Sequence, residues 1–199
     1  MKADLTYIAF ILDRSGSMQS MAEEAIGGFN AFLKEQQNEE GDARLSLILF
    51  DHEYTPVVEN RLIDEVEPLS AKTYEPRGTT ALLDAMGRTI DDLGKQMAAM
   101  PEEARPETVI VVTLTDGLEN SSKDYTRAKV AERIKHQEEK YGWEFMFLGA
   151  NMESINEARD FGIQKACSKV FDSVEEGMAY SSKEVLKRRR KAKKNKIGF

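Results

Sequence analysis

The chain has 199 residues, 41% hydrophobic and 32% charged, enough for one domain that buries a core and keeps a solvated surface. Its single cysteine, Cys167, excludes an internal disulfide framework and any multi-cysteine zinc site, and the simplest setting for it is a reducing, cytoplasmic one. The net charge of −7 is unevenly spread: Lys183 to Lys196 holds nine basic residues and one acid, Glu184, so this run carries +8 and the remainder −15.

No apolar run approaches the ~18–20 residues of a membrane span. Near the N-terminus, Ile8 to Leu12 is cut short by Asp13, so Leu5–Leu12 reads as a buried first strand rather than a signal peptide. Apolar spacing next predicts a helix over Met18–Gln37, with Met21, Ala25, Phe29, Phe32 and Leu33 on one face. Arg44–Phe50 reads as a strand, and Tyr54–Glu59 as an antiparallel edge strand returning across Asp51-His52-Glu53. Residues 60–79 are mostly irregular, with a short helical turn at Leu62–Val66. A long helix follows over Ala81–Met100. Thr108–Thr115 (TVIVVTLT) is rich in β-branched residues, the composition of a strand covered on both faces. The remaining elements are a helix over Asp124–Tyr141, a strand over Glu144–Leu148, a short helix over Ser154–Phe161, a last strand over Ala166–Phe171 and a closing helix over Val174–Arg190.

Strands alternating with helices predict an α/β fold: a Rossmann-like, doubly wound, mostly parallel sheet of about six strands, one of them an antiparallel edge, with helices on both faces. The expected division is a domain over residues 1–182 and a basic C-terminal tail over 183–199. Trp143, Phe145, Phe147 and Leu148 are expected in the core. Cys167 reads as a small buried hydrophobe in the last strand. Met18, Met21 and Met100 read as packing residues, and Glu39-Glu40 as a solvated helix end.

In such sheets, ligands bind beyond the carboxyl ends of strands, where the strand order reverses. Three stretches qualify: Asp13-Arg14-Ser15-Gly16-Ser17, Arg77-Gly78-Thr79-Thr80-Ala81-Leu82-Leu83-Asp84, and Thr115-Asp116-Gly117. Together they offer two carboxylates and three hydroxyls with no imidazole or thiolate, a donor set for hard cations such as Mg²⁺, Mn²⁺ or Ca²⁺. Singly, each has a structural reading. Ser15 or Ser17 suits the cap of the helix at Met18, Thr79 or Thr80 the cap of the helix at Ala81, and Asp116-Gly117 a turn. Jointly, at the ends of strands, they point to a metal site.

This ordered set, Asp13-x-Ser15-x-Ser17, then Gly78-Thr79-Thr80, then Thr115-Asp116-Gly117, resembles the metal-ion-dependent adhesion site of the von Willebrand factor type A family, over about residues 4–172. The middle motif is the loosest: Thr80-Ala81-Leu82 matches the family's Thr-Pro-Leu with alanine for proline, and Thr79 is the fallback. The resemblance implies a metal site of Asp13, Ser15, Ser17, Thr80 and Asp116. Within it, Ser15, Ser17 and either the threonine or an aspartate touch Mg²⁺ (or Mn²⁺ or Ca²⁺), and the others act through water. It further implies that an acidic side chain of a protein partner completes the ion's coordination. Arg14, Arg77, Thr79 and Glu119 form the expected ligand-binding rim, the two arginines suited to a partner's carboxylate. A free-standing domain of this size resembles bacterial or phage members of the family, which serve as assembly factors or subunits of larger complexes.

Two other classes of function compete with a non-enzymatic, protein-binding module. A metal-dependent hydrolase at the same site would need a base for a serine nucleophile. The two histidines are His52, in a hairpin turn, and His136, on a solvated helix face. Neither Gly-x-Gly-x-x-Gly after the first strand nor Gly-x-x-x-x-Gly-Lys-Ser/Thr occurs. The Lys183–Lys196 tail suits nucleic acid, by phosphate neutralisation, or an acidic partner. It equally suits a solvated helix end, dispensable for cation-dependent capture of a partner.

Overall fold

The apolar run that ends at Asp13 lies at the centre of a six-stranded sheet. In the computed structural model, residues 1–150, 152–160 and 168–197 are described. Strand β1 (Lys2–Asp13) is flanked on one side by β2 (Ala43–Phe50) and on the other by β4 (Pro106–Thr115), both parallel to it. The full order is β3-β2-β1-β4-β5-β6, with β3 (Tyr54–Leu62) the antiparallel edge and β5 (Glu144–Gly149) and β6 (Ser168–Val170) parallel. The chain winds outward in one direction from β1 to β2 and in the other from β1 to β4. The switch point therefore lies between the carboxyl ends of β1 and β4, and those ends are Asp13 and Thr115.

Alternation along β1 sorts the core into two layers. Ile8, Phe10 and Leu12 face α1 (Ala22–Gln37) and α5 (Val174–Ile197), where Phe10 meets Phe29 and Phe32 edge-on at 5.6 and 5.1 Å. Tyr7, Ala9 and Ile11 face α2 (Leu82–Ala99) and α3 (Arg127–Tyr141), together with Trp143, Phe145 and Phe147. Leu148 points to the α1 side. A short helix, α4 (Met152–Asp160), follows β5. The doubly wound α/β architecture and its antiparallel edge are as the sequence predicts. The Cys167 expectation and the first residues of the expected last strand lie outside the described residues.

Several boundaries differ for identifiable reasons. The helix expected from Met18 starts as a 3₁₀ turn over Gly16–Met21 and becomes α-helical only at Ala22. The helix expected from Asp124 starts at Arg127, because the Asp124 and Tyr125 N–H groups donate to the Asp84 carboxylate and Thr126 caps the helix. Gly142, at φ +65° in the left-handed region, closes its other end.

At the C-terminus, helix α5, expected over Val174–Arg190, extends to Ile197 and crosses residue 182, where the basic tail is expected to begin. Val185 and Arg189 are buried, the latter only 5% exposed. The Arg189 guanidinium donates to the main-chain oxygen of Gln36 (2.6 Å), a carbonyl in the last turn of α1, and to those of Glu39 (3.3 Å) and Gly41 (3.0 Å) in the segment that follows. Arg190 pairs with Glu39, read from sequence as solvated, and Arg188 pairs with Glu144 and Glu184. Among the described residues no helix is long and apolar enough to cross a membrane.

Candidate metal centre

Three loops leave the carboxyl edge of the sheet around the switch point, and main-chain hydrogen bonds stitch them together. Arg14 N–H donates to Phe50 O at 2.8 Å, Arg77 N–H to Arg14 O at 2.8 Å, Gly16 N–H to Gly78 O at 3.1 Å and Ala81 N–H to Asp51 O at 2.8 Å. Gly78 makes the closest approach. Its φ of +66° lies in the left-handed region, and a Cβ there would stand 2.1 Å from His52 Nδ1. Only glycine lets the chain turn under the imidazole and deliver Thr80 to the site.

The side-chain oxygens then converge. Ser15 Oγ and Ser17 Oγ lie 3.1 Å apart, and Ser17 Oγ donates to Asp116 Oδ1 at 2.8 Å. A Cβ on Gly117 would lie 3.1 Å from Thr80 Oγ1 and 3.6 Å from Ser17 Oγ, so the threonine hydroxyl faces the same small space. Thr80 is 3% exposed, whereas Thr79 is exposed. Asp13 stands behind this group, fully buried. Its Oδ1 accepts the Ser15 N–H at 2.6 Å and its Oδ2 accepts the Thr115 hydroxyl at 2.5 Å. Tyr74, also buried, donates its hydroxyl to Asp13 O at 2.6 Å and holds the strand end in place.

None of the three candidate hydroxyls is spent on capping. Ser15 precedes the 3₁₀ turn without a side-chain cap bond, α1 follows Met21, and α2 follows Ala81, again without one. Ser15, Ser17 and Thr80 therefore do not act as helix caps. Burial lifts the Asp13 carboxyl to about 6, against the lowering by its Thr115 and Ser15 hydrogen bonds. Burial also raises Asp116, against the Ser17 hydrogen bond. A carboxylate paired with a protein cation would be pushed the other way. The set of oxygens, two of them from carboxyls that burial raises, fits a hard divalent cation.

Comparison with known proteins settles the family. The family model for the von Willebrand factor type A domain matches residues 8–183. The chain belongs to that family. The type A domain is also matched by solved structures at low identity, which carry the fold alone. The pilus adhesin SpaC of Lactobacillus rhamnosus GG, in its open conformation, has 15% identity and a TM-score of 0.68, over 94% of this chain and 30% of that one. The manganese-loaded TRAP protein of Plasmodium vivax has 16% identity and a TM-score of 0.61, over 90% and 72%. Proximal thread matrix protein 1 of the mussel byssus, with a zinc-occupied MIDAS motif, has 17% identity and a TM-score of 0.60, over 96% and 46%. The type A domain thus spans less than half the length of the adhesin and of the mussel protein. No curated protein matches its sequence.

The rim of this type A domain differs from the sequence expectation. Arg14 does not reach out to a partner: it is 8% exposed, its Nε donates to Asp51 Oδ2 at 3.0 Å and its Nη2 to Thr55 Oγ1 at 2.9 Å. Arg77 is half-exposed but also held, by Asp51 at 2.9 Å and by Glu53. Glu119 turns inward: its carboxylate accepts the N–H groups of Leu83, Ser121 and Ser122 and the Ser122 hydroxyl. Exposed positions beside the site include Gly16, Ser17, Gly78, Thr79, Leu118 and Asn120.

Asp51 was missed from sequence because a turn aspartate carries no periodic signal. Fully buried, it receives both arginines on Oδ2 and the Glu53 N–H on Oδ1 at 2.6 Å. Asp51, His52 and Glu53 bring ligand atoms within 4.8 Å of one another. Their carboxylates are already neutralised by two guanidiniums, so a cation would have to displace both, and this group serves the loops rather than a metal.

Proposed function

We propose that this type A domain binds a divalent cation, Mg²⁺ in the cell, through Ser15, Ser17, Thr80 and Asp116, with Asp13 orienting the serine loop from behind. When bound, the cation supplies a positive centre for an acidic side chain of a protein partner. The observation that carries the reading is the meeting of three separate loops at the switch point, with their hydroxyls free of capping duty and two carboxyls raised by burial. The mussel protein with a zinc-occupied MIDAS motif and the manganese-loaded TRAP protein support a divalent ion as the ligand, without deciding which ion serves here.

The reading is of binding rather than turnover. His52 lies against Asp51 and Gly78, and His136 sits on the exposed face of α3 against Tyr141, so neither attends the serine hydroxyls. The first part of the basic run is read as part of the fold, since Arg188 and Arg189 are held against the body and Arg190, though exposed, pairs with Glu39. A cytoplasmic subunit or assembly factor is the setting this reading favours.

The test is capture of partners from a native cell extract by the immobilised chain. Recovery is expected in Mg²⁺, and it is expected to disappear both with chelator and in Asp13→Ala. Recovery indifferent to chelator would remove the cation from the function.

A further inference from the structure

Helix α2 begins with no cap of its own, Ala81 preceding it, and an α-helix leaves its first N–H groups without an intrahelical partner. They are satisfied from the loop after Asp116. Leu83 N–H donates to Glu119 Oε2 at 2.9 Å and Asp84 N–H to Ser122 Oγ at 3.0 Å. The Asp84 carboxylate answers by accepting the N–H groups of Lys123 (2.8 Å), Asp124 (3.0 Å) and Tyr125 (2.9 Å). At the head of this zipper Asn120 brackets Thr80. Its Oδ1 accepts the Thr80 N–H at 2.9 Å, and its own N–H donates to Thr80 O at 3.0 Å. The second motif is thereby joined to the loop of the third from Thr80 to Asp84.

From this arrangement we infer that Asn120 is the positioning residue for Thr80, tying the threonine to the Asp116 loop so that the two meet a cation as one preassembled half-site. The other half, Asp13, Ser15 and Ser17, is built on the end of β1 and the turn that follows it. The inference rests on the cation reading above and adds to it a residue that touches no ion. Asparagine fits this position because it supplies a neutral acceptor of the right reach, where aspartate would add a further negative charge beside Asp116. Without it the Thr80 N–H, in a residue nearly closed to solvent, loses its partner, and the Thr80 hydroxyl loses its fixed direction. Residues that orient metal ligands in this way typically change affinity by about 10–100-fold when removed.

The experiment titrates MnCl₂ into the full chain by calorimetry and follows amide hydrogen exchange in the metal-free protein. N120A is expected to bind Mn²⁺ at least about 10-fold more weakly than the native chain. Its Thr80 amide exchanges faster, while the Ser15–Met18 amides are unchanged. N120D, which keeps the acceptor, is expected to restore protection of the Thr80 amide. Should N120A fail to fold, N120S carries the comparison, its oxygen one bond short of the Thr80 N–H. If the native chain binds Mn²⁺ and the alanine or serine variant binds it equally, with Thr80 protection intact, the role of Asn120 is overturned and the cation site stands. If the native chain itself binds no Mn²⁺, the cation reading fails and this inference fails with it.

Discussion

Ser17 Oγ donates to Asp116 Oδ1 at 2.8 Å, joining the loop after β1 to the loop after β4 across 99 residues of sequence. The contact spans the point where the strand order reverses, and Gly117 lies close to both Ser17 and Thr80. Gly117→Ala would place a methyl group 3.1 Å from Thr80 Oγ1 and 3.6 Å from Ser17 Oγ. The position is otherwise uncongested, so thermal stability is expected to change little. Mn²⁺ affinity, read by calorimetry, is expected to fall at least about 10-fold as the hydroxyls are pushed apart. Unchanged affinity would mean that Thr80 and Ser17 do not share an ion.

Gly78→Ala addresses the loop rather than the ion. Alanine at φ +66° costs about 1–2 kcal/mol. The 2.1 Å approach to His52 Nδ1 adds to that unless the imidazole swings out, which its half-exposed side chain permits. Urea unfolding should register the loss. The double variant with His52→Ala should recover the steric part and leave the backbone part.

These positions show how far the sequence could be read. Asp13, Ser15, Ser17 and Asp116 announce themselves because each follows an apolar run at a strand end, where periodicity stops and oxygen donors begin. Tyr54 to Glu59 shows as an edge strand because it returns within a few residues of β2. Arg14 does not announce its burial: between Asp13 and Ser15 it looks like a rim charge, and only the fold brings Asp51 and Thr55 to it. Asn120 and Glu119 lie in a stretch without periodicity, and their partners are about 40 residues away, so no local pattern betrays them. The arginines at 188–190 look like a solvated run because composition cannot show that α1 ends beside them.

That last contact makes a prediction about stability, beside the sequence expectation that the tail is dispensable for capture of a partner. Arg189→Ala leaves the carbonyl of buried Gln36 short of a donor, at about 1–3 kcal/mol for an unsatisfied buried group, and removes the bonds to Glu39 O and Gly41 O as well. Truncation after Ser182 removes Val185 as well and should destabilise further. Denaturant midpoints decide the matter; a truncated chain as stable as the full one would show that α5 ends functionally at residue 182.

Asp13 sets the pH dependence. Burial holds its carboxyl at about 6, above its ordinary 3.8, so the folded chain keeps a proton that the unfolded chain has released. Its contribution to stability of the metal-free protein is fully present below 3.8 and is lost as pH rises through about 6. Cation binding needs the carboxylate, so Mn²⁺ affinity should rise over the same window. Urea midpoints with chelator and Mn²⁺ titrations, both at about pH 5 and pH 7, should move in opposite directions. Asp13→Asn should flatten the first and abolish the second.

The central claim is that one divalent cation is held where the loops of Ser15, Ser17, Thr80 and Asp116 meet. A crystal of the full chain grown with MnCl₂, with data collected at the manganese absorption edge, tests it most directly. A single strong anomalous peak is expected within coordination distance of those oxygens, absent from the Asp13→Ala crystal. A peak at Asp51, His52 and Glu53 instead, or none at the switch point in protein that still captures its partner, would contradict the claim.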